Sequence, residues 1–155
     1  MINVYLAAPI RGNTGHQEQV KLIRDWMVQH YNVITEDIFS PGDNIQLTDR
    51  EIYQRDIDWI NQADVLIAEV SQPSHGVGYE ISYALHQAHI PVIALVNNTM
   101  VDSDLDIDLH AQTKLVSAMI SGNPSVLIVQ YTTVIQAMRL IRKGIDASLI
   151  SSEGE

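Results

Sequence analysis

The chain contains no cysteine, which removes disulfides, thiolate metal sites and cysteine nucleophiles together. Any covalent catalysis falls to oxygen or nitrogen. Basic residues are also few. Nine Lys and Arg stand against nineteen Asp and Glu, a formal charge of -10 at pH 7, so a polyphosphate strand would be repelled over most of the surface and nucleic acid is not an expected partner. A small anion remains admissible where backbone N–H groups and one or two basic side chains gather. No uninterrupted apolar run approaches the roughly 18 to 20 residues of a membrane span, and the start MINVYLAAPIRG lacks the basic opening of a secretion signal. The expectation is a soluble, cytoplasmic protein with no membrane partner. His86 and His89 stand three apart with no third ligand nearby, and VDSDLDID (residues 101–108) lacks the glycine and glutamate of a calcium loop. No metal and no other cofactor is expected.

What is present suits one domain. A chain of 155 residues with 46% apolar content can bury a proper core. Short apolar runs at INVYLA, NVIT, DVLIAEV, PVIALV and SVLIVQ read as five strands, and helical patterns separate them. Helices are predicted over His16 to Tyr31, Asp49 to Ala63, Gly78 to Ala88, about Leu115 to Ile120, and Thr132 to Lys143. The second opens with TDRE, Thr48 to Glu51, a capping box. The predicted architecture is α/β: a single-domain, doubly wound, five-stranded parallel sheet of flavodoxin-like or Rossmann-like type with helices on both faces. The domain is expected to cover residues 1–145, with 146–155 as a flexible C-terminal tail.

In such a sheet ligands bind outside the carboxyl ends of the strands. Three informative segments fall there: AAPIRGNTG after the first strand, SQPSHGVGYE after the third and, after the fourth, the long loop that ends at KLVSAMISG. Gly76 and Gly78 allow close backbone approach or positive φ and Ser74 adds a hydroxyl, which together favour an anion; the plainer alternative is a tight strand-to-helix turn. Glu80 falls in the expected first helical turn, where the dipole would keep it ionised as a nucleophile or base, or merely as a favourable first-turn glutamate. Asp56 shares a helix face with Ile52 and Trp59 and so interrupts an apolar stripe. Desolvation there would raise its pKa and suit it to give up a proton, unless it only caps a neighbouring loop. Two carboxylates in opposed environments form the working pair of glycosidic cleavage. Glu69, at the end of its strand, is expected to orient loops, and Tyr5 to hydrogen-bond a catalytic carboxylate or simply to fill the core.

The segments YLAAPIRG, DIDWINQADVLIAEVSQPSHGVGYEI and LVSAMISG, in that order over most of the chain, resemble the nucleoside 2-deoxyribosyltransferase superfamily, and within it the 2'-deoxynucleoside 5'-phosphate N-hydrolases. The resemblance implies that Glu80 attacks the anomeric carbon to form a deoxyribosyl-enzyme intermediate, that Asp56 protonates the departing base and later helps activate water, and that Tyr5 holds Glu80. It places a substrate's 5'-phosphate against Ile10, Arg11, Gly12, Ser74 and Gly76, with Ser117 and Met119 of the SAM segment reaching it from a neighbouring subunit, hence a homodimer. Asp37 and Ile52 fall at the base pocket. Pro9 stands where a small hydroxyl residue is usual, Asp37 replaces a histidine, and the loop from Asn97 to Lys114 is long. The implied substrate is a deoxynucleoside monophosphate, cleaved to free base and 2-deoxyribose 5-phosphate. The rivals are a transferase exchanging bases on deoxynucleosides and a non-catalytic nucleotide-binding module.

Overall fold

The computed structural model describes residues 1–9, 14–35, 47–100 and 116–152. Five parallel strands, β1 (Asn3–Ala7), β2 (Asn32–Val33), β3 (Val65–Glu69), β4 (Val92–Asn97) and β5 (Val126–Tyr131), lie in the order β2-β1-β3-β4-β5. This is the flavodoxin-like order predicted for alternating strands and helices. β3 and β4 are buried at every position, as expected of parallel strands covered on both faces, and this is why they read as unbroken apolar runs. β2 is an edge strand and pairs through only Asn32 and Val33, shorter than the NVIT run.

The pleat divides the core in two. Val4, Leu6, Ile67, Ile93 and Leu95 point to one face, under α1 (Thr14–His30) and α5 (Val134–Ser152). Tyr5, Ala7, Leu66, Ala68 and Ala94 point to the other, under α2 (Asp49–Ile60) and α3 (His75–Tyr83). A π-helical segment, Ala84–Ala88, continues α3, and the short α4 (Ala118–Ser121) closes the same face. The capping box of α2 forms as predicted: Thr48 Oγ1 accepts from the Glu51 N–H at 3.3 Å, and Glu51 Oε2 accepts from the Thr48 N–H at 2.8 Å.

Two helix boundaries change the reading of the residues beside them. α3 begins at His75 rather than Gly78 because Ser74 takes the N-cap position and accepts from the Val77 N–H at 3.3 Å. Neither Gly76 nor Gly78 has positive φ, so both are helical residues instead of turn formers. α5 runs past Lys143 to Ser152, which makes residues 146–152 helical where a tail was expected. A Cβ on Gly144 would lie 2.8 Å from Ile93 Cδ1 and 3.2 Å from Leu127 Cδ2. That glycine lets the helix lie close on β4 and β5, and it does not end it. The predicted roles of Ile10, Arg11, Gly12 and Asp37, and the loop beyond Met100 up to Lys114, lie outside the described residues. Among the described residues no helix is long and apolar enough to cross a membrane.

Candidate active site

Because side chains alternate along β1, Tyr5 and not its neighbours Val4 and Leu6 faces α2 and α3. Its hydroxyl donates to Glu80 Oε1 at 2.8 Å. Glu80 lies in the second turn of α3, beyond the first-turn position expected for it. From α2, Asp56 lines the same cavity as Glu80, a volume of about 330 Å³ completed by Ala8, Pro9, Pro73, Ser74, Gly76 and Val77. The cavity sits at the carboxyl edge between β1 and β3, the point where the strand order reverses. Among the described residues a Cβ on Gly76 would meet only Ser74 Oγ, at 3.8 Å, and one on Gly78 would meet nothing within 4 Å. Both glycines leave open space beside the backbone, which a ligand can approach closely.

The electrostatics differ from the expected contrast between one charged and one protonated acid. Burial pushes the Glu80 carboxyl up to about 7; the Tyr5 hydroxyl pulls it down and the neighbouring Asp56 charge pushes it further up. The helix dipole falls off within the first turn and does not offset this desolvation. Burial also raises Asp56, but the Arg55 guanidinium opposes it. Arg55 Nε and Nη2 donate to the same oxygen, Asp56 Oδ1, at 3.1 and 3.0 Å. Among the described residues no cation acts on the Glu80 carboxyl in the way that Arg55 acts on Asp56. Burial and the two carboxylates hold the Tyr5 hydroxyl well above its ordinary range, so it remains a donor.

Tyr5→Phe removes that donor from Glu80. The carboxyl then moves above about 7, and the limb on which rate rises with pH should shift to higher pH. About tenfold of activity is lost near neutrality, the worth of one hydrogen bond to a charged group, and is recovered in more alkaline buffer. An unshifted limb in the pH–rate profile would contradict the Tyr5–Glu80 coupling.

A second, larger hollow of about 920 Å³ adjoins the first and shares Pro73, Ser74 and Val77 with it. Ser117 and Met119 line this groove and not the acid-bearing cavity. Ser117 caps α4 by accepting from the Met119 N–H at 3.3 Å, and Met119 is 84% exposed. Ile52 is half-buried on α2 one turn before Asp56 and lines neither hollow.

Glu69 is fully buried behind the cavity. His16 Nε2 lies 2.6 Å from its Oε2, and Ser71 meets it with both hydroxyl and N–H. The Asn97 N–H in turn donates to Ser71 Oγ at 2.6 Å. The cluster ties the start of α1 to the ends of β3 and β4, which fits the loop-orienting position expected of Glu69. Arg55 was missed by the sequence reading. Its signal was available in RDIDW, an arginine four residues before a tryptophan on one helix face and next to the candidate acid.

The family described as Nucleoside 2-deoxyribosyltransferase matches residues 4–119. A protein of Syntrophotalea carbinolica, provisionally named 2'-deoxynucleoside 5'-phosphate N-hydrolase 1, is 35% identical over 133 residues, covering 84% of both chains. One of the same provisional name from Thermofilum pendens is 40% identical over 124 residues, 78% of each. The 5-hydroxymethyl-dUMP N-hydrolase of Danio rerio is 39% identical over 90 residues, 54% of this chain and 62% of that protein. Among solved structures, the CMP N-glycosidase of Clostridium botulinum shares the fold at a TM-score of 0.54 and 17% identity, covering 91% of this chain and 98% of that one. The chain belongs to the nucleoside 2-deoxyribosyltransferase family.

Proposed function

We propose that the protein is an N-glycosidase that hydrolyses 2'-deoxynucleoside 5'-monophosphates to free base and 2-deoxyribose 5-phosphate. The observation that carries this reading is the pairing of Asp56 and Glu80 in one small cavity, with Tyr5 bonded to Glu80. The names of the relatives support the substrate class.

In this reading a Glu80 oxygen attacks the anomeric carbon while the C–N bond breaks. The electron pair of that bond leaves with the base, and the proton of Asp56 goes to the departing nitrogen. The sugar is left as an ester of Glu80. Asp56, now a carboxylate, takes a proton from water as that water attacks the anomeric carbon, and the bond from that carbon to Glu80 breaks to release the Glu80 carboxylate. The step requires Glu80 ionised and Asp56 protonated. A base nitrogen accepting a hydrogen bond from Asp56, and positive charge growing on the sugar beside Glu80, both favour that state. The phosphate lies toward Ser74 and Gly76, at the N-terminus of α3, where free N–H groups favour an anion. The family resemblance assigns Arg11, with Ile10 and Gly12, to the phosphate, and Asp37 and Ile52 to the base. Such a substrate is a free nucleotide, so the cytoplasm is the expected place of action.

The reading includes a homodimer. Ser117 and Met119 are exposed in their own chain and lie outside its acid-bearing cavity, which leaves them free to reach the phosphate of a neighbouring copy.

Incubation with each deoxynucleoside monophosphate, with and without an acceptor base, tests the proposal. Release of sugar phosphate without base exchange is expected; exchange on deoxynucleosides would favour a transferase, and no turnover a binding module. Ser117→Ala should raise KM for the monophosphate about tenfold, as for a hydrogen bond to a charged group, and leave that for the nucleoside unchanged. An equal effect on both would count against the phosphate role.

A further inference from the structure

We propose that Arg55 is a positioning residue for the leaving-group acid: its guanidinium, braced on Trp59, fixes the Asp56 carboxylate through one oxygen and receives the negative charge that reaches Asp56 when the base departs. The inference rests on the assignment of Asp56 as that acid.

The geometry is specific. Both Arg55 donors, Nε at 3.1 Å and Nη2 at 3.0 Å, converge on Oδ1. Among the described residues no hydrogen bond falls on Oδ2. An oxygen that accepts two N–H bonds is a poor place for a proton, so the transferable proton sits on Oδ2, the oxygen left for substrate. The arginine is itself held. Its Cζ lies 4.5 Å from the centroid of the Trp59 ring, one turn along α2, and Trp59 packs on the core face of the sheet.

Among the described residues the groups coupled electrostatically to Asp56 are Glu80 on α3 and Tyr5 on β1, from neighbouring elements, and Arg55 on α2 itself. During the first chemical step Glu80 loses its charge to the new ester bond and Asp56 gains one by giving up its proton. One negative charge thus moves across the cavity from α3 to α2. A cation already bonded at the receiving end stabilises the charge as it develops, with no reorganisation at the moment of reaction. The same contact favours ionised Asp56 in the second step, when it draws a proton from water.

The test measures kcat and kcat/KM against pH, together with Tm, for wild type, Arg55→Gln, Arg55→Lys, Asp56→Asn and the double variant Arg55→Gln/Asp56→Asn. Arg55→Gln should lower kcat about tenfold on the acidic side of the profile and move the alkaline limb to higher pH, because Asp56 then holds its proton more tightly. Arg55→Lys should restore part of both, since a point charge replaces two fixed donors. In the Asp56→Asn background Arg55→Gln should cost nothing further. An unmoved limb, or an equal loss in that background, would show that Arg55 only braces the helix. A wild-type rate in Asp56→Asn would overturn the acid assignment and this inference with it; a silent Arg55→Gln beside a crippled Asp56→Asn would overturn the inference alone.

Discussion

Glu80→Gln will lower turnover ~10⁴-fold, as loss of a catalytic nucleophile does, and will stabilise the fold at neutral pH and above. The two effects share one cause. Glu80 is an acid whose carboxyl is raised from an ordinary 4.5 to about 7 by burial. Below pH 4.5 it is protonated in folded and unfolded chains alike, and no penalty exists. As pH rises toward 7 the unfolded chain loses the proton while the folded chain keeps it, so stability falls across that window. Above 7 the penalty is complete, on the order of 3 kcal/mol for a shift of this size. Glutamine keeps the acceptor for the Tyr5 hydroxyl, carries no charge and removes the penalty. Thermal melting at pH 5 and pH 8 checks it: the variant should gain at pH 8, gain little at pH 5 and show a flatter profile between them. Such a trade of stability for reactivity is common where a charged group must work in a dry site.

Asp56→Asn should cost about 10²- to 10⁴-fold in kcat, the range for a missing general acid, and the loss should be smallest for substrates whose base departs most easily without a proton. Its effect on pH dependence is more diagnostic than its size. The two carboxyls interact, so the wild-type profile of kcat/KM reports the pair rather than either residue. With asparagine in place the alkaline limb, on which the acid loses its proton, disappears. The remaining limb then reports Glu80 alone, beside a neutral neighbour. A variant profile with the same two limbs as wild type would remove Asp56 from the proton transfer.

Much of this arrangement was legible in the residues. β3 and β4 are buried on both faces and so apolar throughout, which made them stand out, and TDRE announced the start of α2 through chemistry local to four residues. The stripe Ile52, Asp56, Trp59 placed a carboxylate on the covered side of its helix, and Asp56 does line a cavity there. Glycine was the recurrent source of error, because its local meaning depends on distant neighbours. Gly76 and Gly78 suggested a turn, yet they lie inside α3, where Gly76 lines the acid-bearing cavity and Gly78 the larger groove; Gly144 lies inside α5 because Ile93 and Leu127 leave no room for a Cβ. The charge states were equally hidden. That Glu80 would lie deep enough for burial to outweigh the helix dipole depends on how closely β1, α2 and α3 converge, and no spacing in the sequence carries that distance. Arg55 could have been read from its place four residues before Trp59, but its choice of Asp56 Oδ1 is a matter of side-chain geometry.

The anomeric configuration of the first product tests the account most directly. In aqueous methanol, methanol competes with water for the sugar, and the methyl glycoside it forms does not interconvert between anomers. Attack by Glu80 followed by attack of methanol from the opposite side gives two inversions, so proton NMR should show the methyl 2-deoxyriboside 5-phosphate with the β configuration of the substrate. The α glycoside would mean a single direct displacement, and would contradict a sugar ever bonded to Glu80.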